Sequence, residues 1–217
     1  MIFWWVALYG LLHTFVMNRA QWIIASVMML YTLFFLIWIC WSGQKDNIGL
    51  NVIQEFGVKD SLYLFPLSLL PICNLMIGKD GCIDFWSSIF IMSVAIIEEL
   101  FFRGFMLHFF VRQSRMLGVL LTSIIFALFH CVNLIQNDDH IYVFLQVICA
   151  FSVGLCFAAT TIKYNSLIPC LVVHFLINVT GIINPISVGN TKEVCGLWIC
   201  IAVYLFYAVF LYKEIQE

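Results

Sequence analysis

Two glutamates and an arginine, Glu98, Glu99 and Arg103, sit inside the apolar run "IIEELFFRGF". Later apolar runs add His130 in "FALFHCVN" and His174 with Asn178 in "VVHFLIN". Amide hydrolysis uses these types: a carboxylate and an imidazole to hold and deprotonate water, N–H donors for the oxyanion, and a proton for the leaving amine. Each also has a plainer reading. A lone His or Asn in an apolar helix commonly glues helices together, and a Glu/Arg pair can simply fix a bundle.

Spacing divides the roles. Glu99 and Arg103 are four residues apart, share a helix face and can pair. Glu98 is rotated by about 100° on the same turn. A carboxylate paired to a guanidinium is a weak base, whereas an unpaired one in a dry setting accepts a proton more readily. The expectation is that Glu99 with Arg103 forms a brace and Glu98 is the reactive group. His174 and Asn178 are also four apart, so one helix face carries both.

The elements that must position these groups are membrane helices. The 217 residues are 64% apolar and 10% charged, against about 45–50% and about 25% in a soluble domain. The fold class expected is all-α: a polytopic membrane helix bundle of about eight spans, forming a single transmembrane domain over residues 1–217. The apolar runs cover residues 2–16, 21–41, 61–77, 85–111, 116–135, 141–160, 166–183 and 194–212. The first is short, lacks signal-peptide features and reads as a retained span. The third carries Pro66 and Pro71 and should be kinked or partly interfacial; seven spans result if either lies flat. The connection "SGQKDNIGLNVIQEFGVKD" has room for a short surface helix.

Loop charges orient the bundle. Lys45, Lys59, Arg112, Arg115, Lys163 and Lys213 fall on one side, and Arg19, Lys79 and Lys192 on the other. This bias places both termini in the cytoplasm. Counted inward from the basic loops, Glu98, His130 and His174 lie at ~21, ~22 and ~16 Å. Groups on three helices thus reach comparable depths, which points to one shared intramembrane site. Charged side chains there cost about 2.5–3.5 kcal/mol each on insertion scales, so they must face the interior and find partners. His13, His108 and His140 fall outside this set and read as structural or solvated. The net charge of −2 gives no support to nucleic-acid binding, and the nine cysteines contain no CxxC pair. The partners expected are the lipid bilayer and a membrane-associated peptide or protein.

"EELFFR", "FALFH" and "HFLIN" read as EExxxR, FxxxH and HxxxN, in that order and on separate helices. Over about residues 85–183 the chain resembles the CPBP (Abi) family of intramembrane proteases. That family includes the type II CAAX prenyl endopeptidases and bacterial proteins tied to bacteriocin maturation and self-immunity. The resemblance implies an eight-helix bundle with the site reached from the cytoplasmic side. It implies that Glu98 and His130 activate water, that His174 and Asn178 stabilise the oxyanion, and that Glu99 and Arg103 support the site. The substrate class implied is a CAAX-type tail or a bacteriocin- or pheromone-type precursor.

Alternatives stay open. Zinc held by Glu98, His130 and His174 would form an open His₂Glu site. No HExxH occurs, and a metal-free glutamate mechanism without a cofactor is favoured. Cys170, four residues before His174, is a conceivable thiolate nucleophile. In another class, the chain is a non-catalytic immunity or regulatory protein acting through partner binding. An ion or proton pathway would also suit intramembrane Glu and His.

Overall fold

The structure, a computed structural model, describes residues 21–53, 57–78, 81–135 and 139–216. Among these residues there are helices and no strands. The helices are α1 (Gln21–Trp41), α2 (Val58–Leu64), α3 (Leu69–Met76), α4 (Phe85–Glu99), α5 (Leu107–Val111), α6 (Arg115–Phe129), α7 (His140–Tyr164), α8 (Ile168–Ile183) and α9 (Thr191–Glu214). A π-helix at Leu100–Met106 joins α4 to α5 into one rod, Phe85–Val111. A 3₁₀ stretch, His130–Ile135, prolongs α6.

Five of these rods are long and apolar enough to cross a bilayer, and α8 is a shorter apolar helix. The polytopic all-α bundle is therefore as expected; the span expected at residues 2–16 lies outside the described residues. The segment expected at 61–77 begins at Val58 and breaks into α2, a 3₁₀ turn at Phe65–Ser68, and α3. The break has a local cause. Pro71 has no N–H to offer the Leu67 carbonyl one turn back. The Tyr204 hydroxyl from α9 donates to that carbonyl at 3.0 Å and accepts the Leu70 N–H at 2.9 Å. The connection after α1 forms turns through residue 50, with no helix among its described residues.

Side-chain caps set the other starts. Asp84 accepts the N–H groups of Trp86 and Ser87 at the head of α4. Its carboxyl is held below the usual range, chiefly by the Ser87 hydroxyl. Asp139 caps α7 through the Tyr142 N–H, so His140, expected in a loop, is the first residue of that helix. Asn165 ends α7 in the left-handed conformation, at φ 47°.

α7 is the central rod. It packs on α6 and α9, while α8 packs on α3 and α4, and α4 on α1. Gly154 lets α6 and α7 approach closely: a Cβ there would lie 3.2 Å from the Ser123 Cα. Contacts tie the connections into two ends. At one end the Leu167 N–H donates to the Gly49 carbonyl (2.8 Å), the Ser166 hydroxyl to the Asn51 carbonyl (2.5 Å), and Lys163 pairs with Glu214 (3.1 Å). Arg115 also reaches the Ile215 carbonyl there. This is the end of the basic loops. At the other end Gly81 rests against the Ile183 carbonyl.

Candidate active site

Glu98 and Glu99 are the last residues but one and the last of α4, about midway along the Phe85–Val111 rod. Glu99 points into the protein and is fully buried, as is Arg103. Their side chains meet at 2.8 Å, which is the expected brace. The same carboxylate oxygen, Oε1, lies 2.7 Å from His174 Nδ1 on α8. The other ring nitrogen of His174, Nε2, faces Glu98 Oε2 at 3.4 Å. One imidazole therefore spans both glutamates. Glu98 itself keeps 34% of its side chain exposed, against 0% for Glu99.

Arg103 is enclosed by aromatic faces. Its guanidinium carbon lies 4.2 Å from the Phe126 ring centre and 5.3 Å from that of Phe157. A cation over ring faces is stabilised by the ring quadrupole, by about 2 kcal/mol or more when desolvated. Phe126 is also edge-on to His130 and His174, with centroids 4.9 and 5.8 Å apart. His130 stands where α6 tightens into the 3₁₀ stretch. Its Nδ1–H donates to the Phe126 carbonyl at 3.0 Å. In the neutral ring that bond leaves the lone pair on Nε2.

Glu98, His130, His174 and Asn178 all line one cavity of about 540 Å³. The four residues expected at the chemistry are thus brought to a single space, from α4, α6 and α8. Asn133 shares the wall but is engaged by Gln146 at 2.8 Å. Cys170 is not among the described lining residues. It is fully buried, with its thiol directed at the Phe157 carbonyl (3.4 Å) and Thr161 (3.6 Å). A nucleophile must reach the substrate, so the thiolate alternative has no support in this geometry. Among the described residues no group of three His, Cys, Asp or Glu side chains is arranged to hold a metal ion.

Two supports carried no chemical signature in the sequence. The π-helix opens the rod directly after Glu99, where such widenings often accompany functional sites. His108, read as structural or solvated, donates Nδ1–H to the Arg103 carbonyl at 3.0 Å and so anchors the backbone of the brace.

Spanning helices around a buried carboxylate–imidazole centre define a multi-pass membrane protein. Residues 84–180 match the family model described as type II CAAX prenyl endopeptidase Rce1-like. Over these residues the chain is similar to the CPBP/CAAX protease family, which at family level is one of intramembrane endopeptidases. Comparison with curated proteins and with solved structures gives no match.

Proposed function

We propose that the chain hydrolyses a peptide bond of a membrane-associated peptide, using water held between Glu98 and His130. The observation that carries this reading is the His174 bridge. Glu99 fixes Nδ1 at 2.7 Å and turns Nε2 toward Glu98, on the wall of the cavity that also holds His130 and Asn178. A buried triplet of Glu99, Arg103 and His174 is more than a bundle needs, because each added polar group must be desolvated.

Glu98 is the accessible carboxylate and takes the water proton. His130 Nε2 accepts the water's second hydrogen bond and orients its lone pair toward the scissile carbonyl. As the tetrahedral oxyanion forms, the Asn178 amide donates to it, as does Nε2–H of His174 in its doubly protonated form, whose Nδ1–H is held by Glu99. Donors fixed where charge develops in a dry site contribute about 2.7–4 kcal/mol each. Protonated Glu98 then returns its proton to the departing amine, and the C–N bond breaks. These steps need only the chain's own groups and one water.

The test uses membranes or detergent-purified protein with Glu98→Gln and His130→Ala. Both variants should stay folded and lose cleavage of a substrate that the parent chain cuts. Full cleavage by both would sink the proposal. A substrate can be found as the peptide that accumulates uncleaved in cells carrying Glu98→Gln.

A further inference from the structure

The catalytic cavity has a second polar wall. Asn74, on α3, lines it and is 4% exposed. Its side-chain amide is half satisfied. Nδ2 donates to the Thr180 hydroxyl oxygen on α8 at 3.2 Å. That hydroxyl gives its own hydrogen to the Leu176 carbonyl at 2.7 Å, so toward Asn74 it can only accept. The bond fixes which way the amide is turned and leaves Oδ1 as the open end. Oδ1 is buried and accepts no hydrogen bond among the described residues.

Helix glue accounts for the Nδ2 half of this amide and not for the carbonyl half. A buried acceptor left unmade is destabilising, and leucine, of similar size, would pack α3 on α8 without that penalty. Another amide pair on the cavity wall shows the contrast: Asn133 donates to Gln146 at 2.8 Å. A donor for Oδ1 has to come from the cavity. Gly181 lines the cavity beside Asn74, and among the described residues a Cβ there would meet only Asn74 Nδ2, at 3.9 Å, within 4 Å. The wall is bare backbone where the Asn74 amide lies behind it.

Thr180 follows His174 by six residues on α8, or ~9 Å along the helix axis. Resting on the endopeptidase reading above, we infer that Asn74 is a substrate-binding residue: its side-chain carbonyl accepts a backbone N–H of the bound peptide, about three residues from the bond that is cut, since an extended chain advances ~3.3 Å per residue. The ligand class is a peptide in extended form. A backbone N–H is a donor that such a segment presents whatever its side chains. Asn74 thereby sets the register of the chain against Glu98 without taking part in the chemistry.

The test reads binding without turnover. Full-length Glu98→Gln protein in detergent is titrated with a synthetic copy of the peptide that accumulates in Glu98→Gln cells, and with copies N-methylated at one backbone amide at a time. One methylation, about two to four residues from the scissile bond, should weaken binding about tenfold through the loss of one buried hydrogen bond. Adding Asn74→Leu should weaken the unmethylated peptide by a similar factor and abolish the effect of that methylation. The unfolding temperature should stay at or above that of Glu98→Gln alone. Asn74→Ala, which brings no new bulk to the site, should abolish the same effect. An identical methylation profile with and without Asn74 overturns the inference, as does a profile in which no position is weakened. A lower unfolding temperature with unchanged binding would mark Asn74 as glue alone and also overturn it. If no peptide accumulates, or the parent chain does not cut the one that does, the endopeptidase reading itself fails, by a different readout, and this inference falls with it.

Discussion

The Phe126 ring lies 4.2 Å from the guanidinium carbon of Arg103 and, through its edge contacts, touches both histidines of the site. This aromatic residue turns the Glu99–Arg103 brace into a template for His130 and His174. Replacing it with leucine keeps an apolar side chain but removes the ring face. Phe126→Leu should lower stability by about 2 kcal/mol, the size of a desolvated cation–π contact. It should also slow cleavage about ten- to hundredfold, since small misplacements of catalytic groups cost that much. Phe126→Tyr keeps the face and should retain more activity. Thermal unfolding in detergent and single-substrate cleavage rates check both statements.

The adjacent glutamates should fail in different ways. Glu99 bonds to Arg103 and His174 in a fully buried position, so Glu99→Gln leaves an uncompensated guanidinium. Breaking a buried pair from one side costs about 3–5 kcal/mol. Glu98 faces the cavity, so Glu98→Gln should leave the unfolding temperature near that of the parent while abolishing cleavage. The double variant Glu99→Gln with Arg103→Met, which removes both charges, should recover part of the stability lost in Glu99→Gln. Equal unfolding temperatures for the two single variants would contradict the division of roles.

Much of this arrangement was legible in the sequence, for a physical reason. The helix repeat fixes which residues share a face, so the Glu99–Arg103 pair followed from a spacing of four. It survives even though Arg103 lies within the π-helix. Lipid solvent forces polar groups inward, so matching depths of Glu98, His130 and His174 anticipated a common space. Rotation of one helix about its axis relative to another is set by packing, and no single-helix periodicity encodes it. Hence the bridging of both glutamates by His174, and the position of Phe126 under Arg103, appear only in three dimensions. The widening at Leu100–Met106 was also hidden, because "LFFRGFM" has an ordinary apolar helical composition.

Metal dependence has a direct readout. The chemistry proposed uses a carboxylate, two imidazoles and an amide, so cleavage should persist after exhaustive treatment of the purified protein with a chelator. Activity that vanishes in the chelator and returns with stoichiometric zinc would replace this mechanism with a metal-assisted one. In that case Glu98, His130 and His174 would be the ion's ligands.

Helix spacing offers a test that substitutes no catalytic group. A Cβ at Gly154 would stand 3.2 Å from the Ser123 Cα and 3.4 Å from the Phe126 ring, both tight contacts. The Ser123 contact is with backbone, which cannot swing aside as a flexible side chain would. Gly154→Val adds two further methyl groups at this crossing and should push α6 away from α7, at a cost of about 1–3 kcal/mol for overpacking. Because α6 carries both Phe126 and His130, the displacement should lower kcat more than it raises KM, whereas damage confined to the substrate-lined wall would chiefly raise KM. Gly118→Ala, on α6, offers a comparison, since its added methyl would crowd the side chain and backbone of Val111 rather than the Phe126 ring. If Gly154→Val retained the parent's kcat at an unchanged unfolding temperature, the α6–α7 approach would not be what positions His130.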